Sequence, residues 1–165
     1  MSDVLQAKAL SGWRDYYEMC KPRVVLLMLL CTLVGMFLAT NESVPFDLIV
    51  YCLVGVALVA GSAAALNHLV DASVDQKMAR TEQRPVAQGR VSMAQGLVFV
   101  GVTGGLGLII LAFWVNPLTA GLNFLAWLGY GVIYTLYLKR ATSQNIVIGG
   151  LFGAAPPLFG WTAVT

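Results

Sequence analysis

Four polar side chains stand together near the end of one long apolar segment. Asn67, Asp71 and Asp75 follow one another at intervals of four residues, and His68 lies beside them. On an α-helix each step of four residues turns the side chain by only about 40°, so the amide and the two carboxylates share one stripe. The sequence therefore predicts a helix face that carries oxygen ligands at the end of an otherwise apolar helix.

Two acids in this position need a counter-charge. Carboxylates at a helix C-terminus face the negative end of the helix dipole. Placing a charged carboxylate within a membrane-spanning helix also costs free energy unless another charge neutralises it. Mg²⁺ binds one or two carboxylates, keeps several waters and bridges to phosphates. We therefore predict that Asn67, Asp71 and Asp75 bind magnesium. The alternative is that the acids cap the helix in water, or pair with Lys77 and Arg80.

Basic residues follow these acids directly. Lys77, Arg80 and Arg84 come shortly after Asp75, and beside a carboxylate-bound Mg²⁺ they would donate charge-assisted hydrogen bonds to the oxygens of a diphosphate. They could equally be ordinary anchors on the cytoplasmic side of a membrane. For Arg90 the anchor is the interpretation we prefer.

The composition of the whole chain indicates an integral membrane protein. Of its 165 residues 58% are hydrophobic and 11% are charged, against about 25% charged in an average soluble domain. A soluble fold of this size cannot bury so much apolar surface. Disordered chains are polar and rich in charge, and a nucleic-acid binder would show a basic face interleaved with polar residues. The composition therefore excludes a disordered chain. The basic residues stand in clusters separated by apolar runs, which excludes a nucleic-acid binder, so we expect no nucleic-acid partner.

Five apolar segments are long enough, or nearly so, to cross a lipid bilayer as helices. They are residues 24–40, 46–70, 96–115, 118–138 and 145–165. We predict an all-α, polytopic membrane helix bundle with about five transmembrane helices, forming a single domain over residues 1–165. Pro156 and Pro157 predict a break in the last segment. The spacings Gly101-x-x-x-Gly105 and 149–153 would permit close helix approach.

The basic residues predict the orientation of this bundle. All ten of them lie before the first apolar segment, within 77–90, or at 139–140. The positive-inside rule then places the N-terminus, the loop 75–90 and the loop 139–144 in the cytoplasm.

Four separated motifs resemble the UbiA-type intramembrane prenyltransferases. The stripe of Asn67, Asp71 and Asp75 is similar to the first aspartate-rich motif of that family, which implies that these three residues are catalytic. The stretch 78–85 (MARTEQRP) resembles the protoheme IX farnesyltransferase (heme O synthase) branch, as do 20–24 (CKPRV) and 134–140 with 144–150. The resemblance implies a Mg²⁺-dependent enzyme of the bacterial inner membrane, one that transfers a farnesyl group from farnesyl diphosphate to a vinyl group of heme b.

The resemblance also implies roles for basic residues outside the loop 75–90. Lys139 matches a residue that relatives use to bind diphosphate, and the tyrosine that some relatives carry four residues earlier is replaced here by Thr135. Lys21 and Arg23 are expected to bind the diphosphate or a heme propionate, or else to anchor the first helix at the membrane surface. His68 is expected to be a hydrogen-bonded polar residue rather than a catalytic one.

Part of the family pattern has no counterpart in this chain. The family is a nine-helix bundle with a second aspartate-rich motif in its later half, whereas Glu82 is the one acid after Asp75. We therefore expect a C-terminally truncated half that turns over poorly alone. Two alternatives stay open: a related prenyltransferase for a quinone or chlorophyll precursor, and a non-enzymatic membrane subunit whose acids bind an ion.

Overall fold

The apolar segments of the chain form helices in a computed structural model that describes residues 11–138 and 145–165. All regular structure in these ranges is helical, which confirms the predicted fold class. The elements are α1 (Trp13–Met19), α2 (Pro22–Leu38), α3 (Phe46–Asp75), α4 (Met93–Ile110, continued by π-helical turns over Leu111–Val115), α5 (Pro117–Trp127, continued by π-helical turns over Leu128–Leu138), α6 (Asn145–Gly153) and α7 (Pro156–Val164).

Caps and prolines set where these helices begin. The Ser92 hydroxyl accepts a hydrogen bond from the Gln95 amide at 3.3 Å, and the Gln95 side chain accepts one from the Ser92 amide at 3.0 Å, which is a capping box for α4. The Asn116 side chain accepts a hydrogen bond from the Thr119 amide at 2.8 Å, just before Pro117 opens α5. These signals are local, so each helix start follows from residues within one turn of it.

Within the residues that the structure describes, two helices have the length and apolar character that a membrane span requires. They are α3 and Met93–Val115, and the pair α1 and α2, bent by 55°, provides a third if it is one span. The chain is therefore an integral membrane protein, while the larger number of about five spans stays a prediction. The predicted break of the last segment is confirmed, because α6 ends at Gly153 and α7 begins at Pro156.

Helix α3 runs through the middle of the bundle and packs along α4 at glycines. A Cβ on Gly107 would lie 2.8 Å from the carbonyl oxygen of Gly55, and one on Gly104 would lie 2.7 Å from the Ser62 hydroxyl. The Gly101 and Gly105 spacing is not used for this contact, because a Cβ on either residue would have no atom of a described neighbouring helix within 4 Å. The position of α3 decides which glycine stripe of α4 is used.

Helices α2 and α7 are in backbone contact at two further glycines. A Cβ on Gly160 would overlap the carbonyl oxygen of Thr32, and one on Gly35 would overlap that of Pro157. The two helices can approach this closely because neither glycine carries a side chain. This seam holds α7 against the rest of the bundle.

Gly160→Ala is expected to lower the stability of the chain. The added methyl group must push α2 and α7 apart, and overpacking of this kind costs about 1–3 kcal/mol. The midpoint of thermal unfolding of the purified chain in detergent measures the effect. Gly101→Ala is the matched control and should keep or slightly raise the midpoint, since alanine is the better helix former. Equal midpoints for Gly160→Ala and the unaltered chain would contradict the seam.

The segment between α3 and α4 folds back over the end of α3. Val86 and Val91 are buried against Leu69 of α3, and the Gln76 side chain donates a hydrogen bond to the Ala87 carbonyl at 3.0 Å. A run of turns, rather than an extended loop, therefore covers the polar end of α3. This arrangement brings one basic residue of the loop to the acids.

Candidate active site

The predicted stripe of oxygen ligands lies inside the bundle. Asn67, Asp71 and Asp75 are 5%, 6% and 4% exposed. Their spacing puts them on one face of α3, and that face is covered by the start of α2, by α5 and by the turns after α3. Side chains that merely capped the helix in water would be exposed, so the structure favours a buried polar site over the capping alternative.

Lys21 reaches the first member of the stripe from another helix. Its ammonium group donates a hydrogen bond to Asn67 Oδ1 at 2.8 Å. Lys21 has a φ of 50°, the one positive φ outside glycine in the described residues. The residue before a proline ordinarily avoids helical conformations, and left-handed backbone in a lysine is strained. Strain of this kind persists where surrounding contacts hold it, which here include the bond to Asn67.

The amide of Asn67 is oriented from its other side by α5. Its Nδ2 lies 3.5 Å from Thr135 Oγ1, and that hydroxyl donates a hydrogen bond to the Tyr130 carbonyl at 2.7 Å. The Thr135 bond spans five residues, which fits the π-helical turns of Leu128–Leu138. With the amide nitrogen facing Thr135, the amide oxygen is directed at Lys21.

Arg84 neutralises the last acid of the stripe. Its Nη1 lies 2.7 Å from Asp75 Oδ2, and the side chains are 26% and 6% exposed. Thr81 donates a second hydrogen bond, to the Asp75 carbonyl, at 3.2 Å. The turns after α3 therefore place a guanidinium at the buried carboxylate. Asp71 lies between the two cationic contacts, one helical turn from both Asn67 and Asp75.

These residues fit a magnesium ion by the chemistry of their donors. Within the described ranges no three His, Cys, Asp or Glu side chains come together at one point, so the stripe offers two carboxylates and an amide rather than a closed cage. Mg²⁺ is commonly bound by one or two carboxylates, with water and substrate phosphates completing its octahedron. Asp71, Asp75 and the oxygen of Asn67 are ligands of that kind.

The hydrogen bonding of His68 differs from what the sequence led us to expect. The side chain is 3% exposed, and its Nδ1 is buried without a hydrogen-bond partner among the described residues. A buried polar atom left unsatisfied costs about 1–3 kcal/mol. The expectation of a fully hydrogen-bonded histidine is therefore wrong for this nitrogen. A water or ligand oxygen at this place would satisfy it.

The other basic residues predicted for the site are placed differently. Arg23, Lys77 and Arg80 are exposed, and Lys139 lies outside the described residues. Their roles in substrate binding stay predictions. Arg90 is more than an anchor: its guanidinium pairs with the buried Asp15 of α1 at 3.0 Å and donates a hydrogen bond to the Gln83 carbonyl at 3.0 Å. That contact joins α1 to the turns that carry Arg84.

An apolar cavity of about 290 Å³ begins at Lys21. Ligand pockets of proteins are typically about 300–1,000 Å³, so this one would suit a narrow ligand. Helices α2, α3, α5, α6 and α7 all contribute to the wall, and Lys21 is the charged residue of that wall. The cavity therefore has a cationic mouth next to Asn67 and an apolar interior.

The wall from α5 was not anticipated from the sequence. Asn123, Ala126, Trp127 and Tyr130 line the cavity, and their spacing of three, four and seven residues puts them on one helix face. Trp127 is held in place by a hydrogen bond from its Nε1 to Ser62 Oγ at 3.1 Å. The periodicity was available as a signal, but any buried helix face shows it, so the sequence did not distinguish a cavity wall from a core.

Comparison with known sequences decides the family. The model of the UbiA prenyltransferase family matches residues 28–165. The chain belongs to the UbiA prenyltransferase family. Among the relatives of this UbiA chain, the protoheme IX farnesyltransferase of Hahella chejuensis is 54% identical over 165 residues, which is 100% of the chain and 55% of the relative.

Two further relatives of the UbiA chain carry the same name. The protoheme IX farnesyltransferase of Legionella pneumophila (strain Lens) is 63% identical over 153 residues, 93% of the chain and 52% of the relative. That of Teredinibacter turnerae is 61% identical over 153 residues, 93% of the chain and 49% of the relative. The chain thus spans about half the length of the curated relatives it matches. No solved structure matches it.

Proposed function

We propose that this chain forms the diphosphate-binding part of a Mg²⁺-dependent enzyme that transfers a farnesyl group from farnesyl diphosphate to a vinyl group of heme b, giving heme O. The observation that carries the proposal is a buried polar stripe in contact with two cations, one of which also lines an apolar cavity. Arg84 pairs with Asp75, and Lys21, which lines the cavity, donates to Asn67. An amphiphile with a charged head and a greasy tail is complementary to this arrangement. The names of the relatives supply the acceptor, heme b.

Asn67, Asp71 and Asp75 would hold the magnesium ion. When bound, the ion would neutralise the negative charge that develops on the departing diphosphate. Both carboxylates are almost fully buried, so their attraction for a cation is stronger than it would be in water. The amide adds a third oxygen without adding a third negative charge.

Lys21 and Arg84 would bind the oxygens of the diphosphate. Each already lies at the stripe, with donor groups that can also turn to a ligand: three N–H on the ammonium and five on the guanidinium. Because their charges are fixed by the fold before the substrate arrives, they stabilise the leaving group without reorganising. The diphosphate would leave with the electron pair of its bond to the farnesyl carbon.

The cavity would protect the reacting carbon from water. An allylic carbon that loses diphosphate is electron-deficient and reacts with any nucleophile that reaches it, so excluding water favours the acceptor. Trp127 and Tyr130 line the wall, and an aromatic ring that presents its face to a cation attracts it. The vinyl group of heme b would then supply the electron pair for the new carbon–carbon bond. Once that bond has formed, a water molecule would add to the positively charged carbon left on the former vinyl group and release a proton, which leaves a hydroxyl group there.

The orientation in the membrane is also part of the proposal. The basic loop after α3 and the start of α1 would face the cytoplasm of a bacterial inner membrane. On α1, Trp13 and Tyr17 are 74% and 57% exposed, and exposed aromatic rings of this kind are typical of the membrane–water interface. The diphosphate headgroup would enter from this side, where water-soluble magnesium is present.

A binding measurement and a chimera test the proposal together. The purified chain in lipid nanodiscs should bind farnesyl S-thiolodiphosphate, which is not cleaved, and should lose most of that affinity when Mg²⁺ is removed with EDTA. A chimera in which this chain replaces the matching part of the Hahella chejuensis relative should convert heme b to heme O, detected by mass spectrometry. Binding that ignores Mg²⁺, or a chimera that prenylates a quinone precursor in place of heme b, would overturn it.

A further inference from the structure

Two residues of the cavity wall belong to the buried core of the bundle. Val59 of α3 and Phe159 of α7 line the cavity and also belong to the buried cluster that contains Met36, Cys52 and Leu111. Each is 3% exposed. These two side chains therefore separate the open space from the closed core, and we call them the cavity floor.

The depth from the mouth to this floor follows from the helix that lines it. Val59 precedes Asn67 by two helical turns and a fraction, which at 1.5 Å per residue is about 12 Å. An extended carbon chain advances about 1.25 Å per bond, given bond lengths of ~1.5 Å. The main chain of a geranyl, farnesyl or geranylgeranyl group then measures about 9, 14 or 19 Å. The farnesyl group, slightly bent, matches the depth best, while the geranylgeranyl group exceeds it by about 7 Å, which is more than one isoprene unit.

The floor is also held rigidly. Phe159 lies next to Gly160, whose backbone contacts the Thr32 carbonyl of α2, and a side chain on so close a helix contact has little freedom to move aside. Val59 is also confined, because its Cγ2 packs into the space beside Gly107 of α4. A Cβ added to that glycine would lie only 2.8 Å from this methyl group. A tail that is too long cannot displace either residue without separating helices.

We propose that Val59 and Phe159 determine which isoprenoid length this protein accepts, and that they select three isoprene units over four. This inference rests on the proposed function, since it takes the cavity to hold the isoprenoid tail. Above the floor, Ala60, Ala63 and Ala64 line the cavity and carry no side chain beyond Cβ that could stop a tail. Selection by length is therefore concentrated at the inner end.

Enlarging the floor tests the inference. Dissociation constants of geranyl, farnesyl and geranylgeranyl S-thiolodiphosphate are measured with Mg²⁺ for the chain in nanodiscs. Phe159→Ala and, more gently, Val59→Ala should shift the ratio of geranylgeranyl to farnesyl affinity by at least about tenfold toward the longer tail, the discrimination that apolar pockets commonly reach. Ala60→Leu, which fills the cavity above the floor, should shift the ratio of geranyl to farnesyl affinity toward the shorter tail.

Met36→Ala is the matched control. Met36 is fully buried in the same cluster as Phe159 but does not line the cavity, so the variant should lose stability and keep the selectivity of the unaltered chain. Thermal unfolding identifies any variant that does not fold, and Val59→Ala and Ala60→Leu decide the matter if Phe159→Ala is one of them.

The possible failures are distinct. If the unaltered chain binds none of the three ligands, the proposed function fails. If it binds the farnesyl ligand with Mg²⁺ while folded floor variants keep its length preference, the inference about the floor fails alone. A shift of equal size in Met36→Ala would also overturn it.

Discussion

Asp71→Asn and Asp75→Asn should each weaken Mg²⁺-dependent binding of farnesyl S-thiolodiphosphate by about 100-fold or more. Loss of a supporting partner of a metal ligand already costs about 10–100-fold, and these substitutions remove a ligand itself. Asparagine keeps the size and shape of the side chain but removes its negative charge. In Asp75→Asn the partly buried guanidinium of Arg84 also loses its carboxylate partner, so this variant should unfold at a lower temperature.

The control for both variants lies on the same helix. Asp47 is in the first turn of α3, at the end opposite to the stripe, and is exposed. Asp47→Asn should therefore bind the ligand as the unaltered chain does. Heme O formed by the Hahella chejuensis chimera provides a second readout. Unchanged Mg²⁺-dependent affinity in both stripe variants would leave the stripe without the role proposed for it, and an equal loss in Asp47→Asn would show a general effect of charge.

Arg84→Gln should lower both the stability of the chain and its affinity for the diphosphate. Removing one partner of a fully buried ion pair costs about 3–5 kcal/mol. Because Arg84 is 26% exposed, water screens the pair and we expect about 1–3 kcal/mol here. The diphosphate would also lose a bidentate donor, which should reduce its affinity about tenfold or more. Arg84→Lys restores the charge but not the planar fork, so we expect it to recover stability more than binding.

Arg80, in the same loop, provides the matched control for Arg84. Arg80 is exposed, and the sequence alone assigned it the same role as Arg84. Arg80→Gln should leave the unfolding temperature unchanged and alter affinity by less than about threefold, the scale of a solvent-exposed charge. Thermal unfolding and ligand titration at two salt concentrations measure both effects. Equal losses in the two variants would mean that the general positive charge of the loop, rather than the contact with Asp75, binds the diphosphate.

Much of the site follows from local rules. The period of an α-helix alone puts Asn67, Asp71 and Asp75 on one stripe, and the structure buries that stripe. The caps at Ser92 and Asn116 and the break before Pro156 likewise depend on neighbouring residues. Composition required a membrane, and four motifs in order indicated the family to which the chain belongs.

The partners of the stripe depend on contacts between distant parts of the chain. Asn67 is oriented by Lys21, 46 positions earlier, and lies beside Thr135, 68 positions later. Contacts between residues so far apart in the sequence cannot be predicted from a periodic pattern, because the pattern of one helix does not show which other helix will cover it. For the same reason the spacing of Gly101 and Gly105 permitted a close helix approach but did not show where α4 is contacted, and α3 packs at Gly104 and Gly107.

An all-helical membrane protein with acids on one stripe follows from the sequence alone, since helical period and hydropathy depend on residues that are close together in the chain. Tertiary packing alone selected Arg84 as the partner of Asp75 and left His68 Nδ1 without a hydrogen bond among the described residues. It also put Val59 and Phe159 between an apolar cavity and the buried core. These outcomes depend on how several helices pack at once. Side chains far apart in the chain become neighbours only when the whole bundle has formed.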